Sequence, residues 1–119
     1  MKLEDLANND NIIKSNTCKE DMLCLEILCW DEKRINILFH NLYGIKANMA
    51  INQEIGDIKK VLSTPFSLEI KNDIISEDGD ESEYTNLQKI VFYDSWSERC
   101  VLEVIAETEE IIEQNLTNH

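Results

Sequence analysis

Two histidines, four cysteines and a dense run of carboxylates are the residues whose types could do chemistry in this 119-residue chain. Residues 76–83 read "SEDGDESE", five carboxylates in eight positions around Gly79. Such a run can hold a divalent cation, steer a basic partner or solvate a loop. A calcium loop of the EF-hand kind needs an oxygen ligand at its first position, glycine at its sixth and glutamate at its twelfth. With Gly79 at the sixth position, Ile74 falls at the first and Thr85 at the twelfth, so both anchors fail. The expectation is no dedicated metal site and no cofactor.

His40 stands between Phe39 and Asn41, with no neighbour in sequence to orient it as a general base. His119 is the last residue and is expected to be mobile. Cys18, Cys24 and Cys29 are separated by five and four residues, and Cys100 is remote. Zinc sites favour closer pairs, so the thiols read as free, small, buried hydrophobes. No nucleophile elbow, phosphate-binding glycine loop or zinc-protease helix motif occurs. The chain is therefore expected not to be an enzyme. Met1-Lys2-Leu3-Glu4-Asp5 is not an apolar leader, and no apolar run is long enough to span a membrane. With free thiols, that reads as cytoplasmic.

The formal net charge is −13. Phosphate backbones and anionic membranes repel such a surface, which argues against nucleic acid and membrane as partners. Basic proteins are attracted to it. From residue 72 onward there are thirteen acidic side chains and two basic ones, Lys89 and Arg99, so a net of −11 lies in that part. Glu77, Asp78, Asp80, Glu81, Glu83 and Glu98 are the candidate steering carboxylates. Trp96, in the turn "DSWSER", is the better candidate for an exposed anchor. Trp30, at a strand end, is the second candidate, and for both tryptophans ordinary core or edge packing is the competing expectation. Acidity that serves solubility alone is the alternative.

The elements that must position these residues come from hydrophobic periodicity. In residues 22–29, Leu23, Leu25, Ile27 and Cys29 share one strand face, and Met22, Cys24, Glu26 and Leu28 the other. After the turn "DEKR", Ile35, Ile37 and Phe39 repeat the pattern, with His40 on the mixed face, which predicts a β-hairpin. Gly56 inside "EIGDIKKVL" predicts a bulged strand, antiparallel to that hairpin. Ser63 or Thr64 can cap a short helix over 65–75 with Pro65 at its first position, although "SLEI" also alternates as a strand would. Residues 76–83 follow as a mobile connection. A second hairpin runs from Leu87 through "VFYDSW" to residues 111–112, before a frayed tail over 113–119. Residues 1–20 are polar and asparagine-rich, with a short edge strand at 11–15.

These elements predict one domain over 1–119 of α+β class, mainly antiparallel β. It would be a single sheet or curled half-barrel of five to six strands with one or two short helices. The order of Trp30-Asp31, Phe39…Tyr43, Glu54-Ile55-Gly56-Asp57-Ile58 and Leu102-Glu103…Ala106-Glu107 resembles small acidic bacterial immunity proteins, including those of contact-dependent growth inhibition. Val104 and Ile105 are displaced relative to that pattern. The resemblance covers residues 20–112. It implies a cytoplasmic protein that binds a cognate toxin domain, a basic nuclease in the best-fitting case, and neutralises it by occluding its active or substrate-binding surface. It implies no catalytic residues. The alternative is a non-enzymatic structural or regulatory module.

Overall fold

The computed structural model describes residues 1–114. Six strands alternate with short connections: β1 (Ile12–Lys19), β2 (Met22–Leu28), β3 (Arg34–Ala47), β4 (Ile55–Val61), β5 (Gln88–Asp94) and β6 (Cys100–Gln114). Two helices, α1 (Pro65–Ser76) and α2 (Glu81–Thr85), lie between β4 and β5. All six strands form one antiparallel sheet in the order β1-β2-β3-β6-β5-β4. The α+β, mainly antiparallel architecture is the expected one.

The sheet is open but strongly curled. At one corner its two edges meet: Ile12 bridges Glu54, the Ile13 N–H donates to the Gln53 carbonyl (3.0 Å), and the Asn52 N–H donates to the Ile13 carbonyl (2.7 Å). The inner face therefore closes around one core. Leu23, Leu25 and Ile27 of β2, Ile35, Ile37 and Phe39 of β3, Ile90 and Phe92 of β5, and Leu102 and Val104 of β6 are all buried there. Period-two alternation puts these residues on one side of each strand. Removing any of them from water accounts for roughly 1.5–3 kcal/mol of driving force per side chain.

The N-terminal segment, though polar in composition, contributes to this core. Leu3 and Leu6 sit on a short 3₁₀ turn, are buried, and close the open end of the curl. Asn11 is buried as well, and its amide donates to the Leu6 carbonyl at 2.9 Å. β1 is eight residues long rather than five, and pairs with β2 through a two-residue turn in which Glu20 takes φ 57°.

The second packing layer lies on the outer face. Thr64 caps α1 as expected: its hydroxyl accepts from the Ser67 N–H (3.0 Å), and its own N–H donates to the Ser67 hydroxyl (2.7 Å). Phe66, Ile70 and Ile74 form the apolar stripe of α1 and pack with Tyr84, Leu87 and Ile105. Leu68 and Ile75, which fill in the same pattern in sequence, face solvent instead. Gly44 permits the close approach, because a Cβ there would lie 3.0 Å from both Ile70 Cδ1 and Phe66 Cζ.

Two further expectations are corrected. β4 carries its bulge at Gly56, but pairs with β5 and not with the β2–β3 hairpin. Local periodicity shows that a strand exists and which face is apolar, but carries no information about its neighbour. β6 runs straight through residues 113–114, where fraying was expected, held by pairing to Ile35 and Arg34. The rest of the expected tail, 115–119 with His119, lies outside the described residues.

Candidate protein-interaction surface

The acidic run is a helical corner rather than a mobile connection. At the end of α1 the Gly79 N–H donates to the Ile74 carbonyl (2.8 Å) and the Asp78 N–H to the Ile75 carbonyl (3.2 Å). This is a Schellman closure, which needs one residue in the left-handed region. Asp78 supplies it, at φ 63°, while Gly79 does not. Two residues later Asp80 caps α2, its carboxylate accepting from the Ser82 N–H at 3.0 Å. Half of "SEDGDESE" is therefore capping chemistry. Placing Asp where glycine is favoured costs stability, so Asp78→Gly should stabilise the fold by about 0.5–1 kcal/mol. Gly79→Ala should do the opposite, since its Cβ would lie 2.5 Å from the Ile74 carbonyl oxygen. Urea midpoints check both; a lower midpoint for Asp78→Gly would remove strain at Asp78 as a factor.

The same corner shapes a groove of about 520 Å³. Its floor is Tyr43, Ile70 and Ile74, and Asp73, Glu77, Asp78 and Glu83 surround it. Burial, and then the charges of Glu83 and Glu107, push the Tyr43 phenol above its usual range. The Tyr43 phenol thus feels carboxylates of both α2 and β6. Glu81 is engaged in an ion pair with Lys71 at 2.8 Å, an exposed contact of little energetic weight.

Beneath α2 lies a buried lysine. The Lys89 ammonium donates to the Tyr84 carbonyl (2.9 Å) and sits 4.2 Å from the centre of the Tyr84 ring. The Tyr84 hydroxyl in turn shares a hydrogen bond with Ser67 of α1 (2.8 Å). Desolvation lowers the Lys89 pKa. Between that lowered value and the ordinary lysine value the unfolded chain binds more protons, so stability rises with pH across this window. Lys89→Met should remove this slope. Comparing urea midpoints of the two proteins at about pH 8 and about pH 10 isolates the contribution, because the other lysines and tyrosines titrate in both. Parallel curves would show that Lys89 is not the group responsible.

The outer face is only half covered. The helices lie over the Gly44–Ile105 region. The remainder, across β2, β3 and the far half of β6, carries Met22, Cys24, Leu28, Leu38 and Ile112, with Leu38 opposite Cys24 and Glu110, and Asn36 opposite Glu26 and Ile112. Met22, Cys24, Leu28 and Leu38 are half-buried there, and Ile112 is exposed. Two polar pairs break the apolar stripe: Arg34 with Glu26 (2.9 Å) and His40 Nε2 with Glu110 (3.1 Å). His40 lies on the mixed face, as its position in the alternation predicts. Its partner is 70 residues away and was not legible in the neighbouring sequence. Glu107, which accepts from the Asn41 amide (2.6 Å), links this face to the acidic corner.

The predicted site residues fall into two groups. Glu77, Asp78, Asp80, Glu81 and Glu83 are together at the α1–α2 corner. Trp96 and Glu98 are in the β5–β6 turn, at the opposite end of β5, about 20 Å away along a seven-residue strand. Trp96 is 86% exposed. Its turn is held by Asp94, whose buried carboxylate accepts from the Ser97 N–H (2.7 Å) and hydroxyl (2.8 Å). These Ser97 bonds keep the Asp94 carboxyl below its usual range. Trp30 is 71% exposed rather than packed, because the strand ends at Leu28 and the chain turns through Glu32 at φ 68°.

The four cysteines are free. Cys18 is exposed and the others are half-buried, so they are less buried than expected. Burial raises the thiols of Cys24, Cys29 and Cys100, which disfavours the reactive thiolate. Among the described residues, no three His, Cys, Asp or Glu side chains converge as metal ligands would. No helix among them is long and apolar enough to cross a membrane.

These features define an α+β chain built on one open six-stranded antiparallel sheet, with a helical pair over half of its outer face. Comparison with known proteins finds no matching family model, no similar curated protein and no similar solved structure.

Proposed function

We propose that this chain is a non-catalytic binding protein of the immunity type, which acts in the cytoplasm by docking on a basic toxin domain and covering its substrate-binding surface. The observation that carries this reading is the half-covered outer face: a partly exposed apolar stripe, with Ile112 open to solvent, bordered by carboxylates from Glu83 through Glu107 to Glu110. A chain that is acidic for solubility alone has no need of Leu38 and Ile112 on an open sheet face. Interfaces pair an apolar centre with a polar rim, and the centre supplies most of the affinity. The one-signed rim selects a basic partner and speeds encounter. Nuclease toxins need cationic surfaces to hold nucleic acid, and an acidic inhibitor competes for the same charges.

The test is co-expression with a toxin domain found encoded next to this chain's gene. Cells that carry both should grow, and Leu38→Lys with Ile112→Lys should abolish protection while the purified variant stays folded. Cell death in the presence of the unaltered protein would overturn the reading for that toxin.

A further inference from the structure

β6 pairs with β3 along its length, from Leu102 opposite Ala47 to Gln114 opposite Arg34. On its other side it pairs with β5 only as far as Ala106 opposite Gln88. Beyond that point the chain leaves the sheet, because Gln88 directly follows the end of α2 and Leu87. The Gln88 side-chain amide donates to the Glu107 carbonyl at 3.4 Å, so the Glu107 peptide points toward the β5 side. Backbone groups alternate sides along an antiparallel strand, so those of Glu109, Ile111 and Glu113 point the same way. Among the described residues, no backbone hydrogen bond from another segment reaches them on that side. This is a strand edge about 20 Å long in the middle of the molecule.

Its side chains carry one sign of charge. Glu107, Glu109, Glu110 and Glu113 lie along it, with Lys60 against Glu109 at 2.8 Å and His40 against Glu110. On the inner side, Glu109, Ile111 and Lys60 border a groove of about 390 Å³ that reaches the N-terminal residues Met1–Glu4. Charged side chains ordinarily guard an edge against other chains. A guard of one sign is selective. Like charges directly opposite each other destabilise a strand pair, which disfavours pairing with β6 of a second copy, whereas opposite charges favour pairing.

We propose that the free edge of β6 from Glu107 to Glu113 accepts an extended, lysine- or arginine-bearing segment of the partner protein as a seventh strand. Main-chain hydrogen bonds would provide the grip, and alternate basic side chains would face the glutamates. The inference rests on the reading above for the charge of the partner and adds where and how that partner is held.

The experiment is a titration of the full, ¹⁵N-labelled chain with a blocked synthetic peptide of alternating lysine and valine. Amide signals of Glu109, Ile111 and Glu113 should shift, and their hydrogen exchange should slow by about tenfold or more. Replacing the lysines by glutamate, or N-methylating every internal peptide amide, should abolish the effect. Equal binding by the N-methylated peptide, shifts confined to the α1–α2 corner, or no binding at millimolar concentration would each overturn strand addition. Seating at β6 together with failed protection in co-expression would leave the edge site standing and remove the immunity reading.

Discussion

Replacing Glu77, Asp78, Asp80, Glu81 and Glu83 together by their amides should slow association with the proposed basic partner by about tenfold or more at low ionic strength. The dissociation rate should change much less, because rim charges act mainly on encounter. The substitution removes five of the charges that make up the net −13. Amides suit this test because the corner uses two of these residues structurally. Asn at position 80 still caps α2, and Asn at position 78 tolerates the left-handed backbone that Asp78 adopts. The folded corner therefore survives while its field does not. Stopped-flow association at two salt concentrations gives the answer. A rate that matches the unaltered protein at low salt would remove the corner as a steering element and shift attention to Glu107–Glu113.

The second large effect concerns the N-terminal segment. Leu6→Ala should cost about 2–5 kcal/mol, the range for truncating a buried leucine where the surroundings cannot collapse. Leu6 closes the open end of the curled sheet together with Leu3, and the Asn11 amide is bonded to its carbonyl. A cost of that size is a large share of a stability that is typically only 5–15 kcal/mol. Urea unfolding would report it as a lower midpoint with an unchanged slope. A change below about 0.5 kcal/mol would mean that residues 1–10 are a detachable cover and not part of the cooperative core.

How far the fold was legible in the sequence depends on where the physical signal is local. The β2–β3 and β5–β6 hairpins follow from alternation, because a face buried on one side only must alternate. The α1 start follows from Thr64-Pro65, since a cap and a first-turn proline act within four residues. β1 was underestimated because its turn uses Glu20 and Asp21 in place of a glycine or asparagine, so no turn signal separates it from β2. α2 was hidden because its one buried contact, Tyr84, belongs to a stripe interrupted by the α1–α2 corner. The place of β4 beside β5, and the approach of Glu110 to His40, depend on pairing between distant segments. For the site, the acidic corner was legible as composition, whereas its groove needed the helices in place. The half-covered outer face was visible only as a mixed pattern in residues 22–28 and 36–42, and sequence gave no means of knowing where the helices stop on it.

The seam where the edges of the sheet meet has a further consequence, for folding time. Asn11 and Ile55 are joined across it, the Ile55 N–H donating to the Asn11 carbonyl (2.8 Å), and β3 pairs with β6 across even longer loops. Chain entropy must be lost before such distant contacts return anything, so folding is expected on the millisecond-to-second scale of barrel-like β proteins. Refolding followed by the fluorescence of the chain would show a faster phase if the hairpins alone decided the rate. During that interval β6 waits with its apolar residues exposed. The glutamates at 107, 109, 110 and 113 then act as gatekeepers of the nascent chain, keeping unpaired copies of β6 from one another before any partner is met.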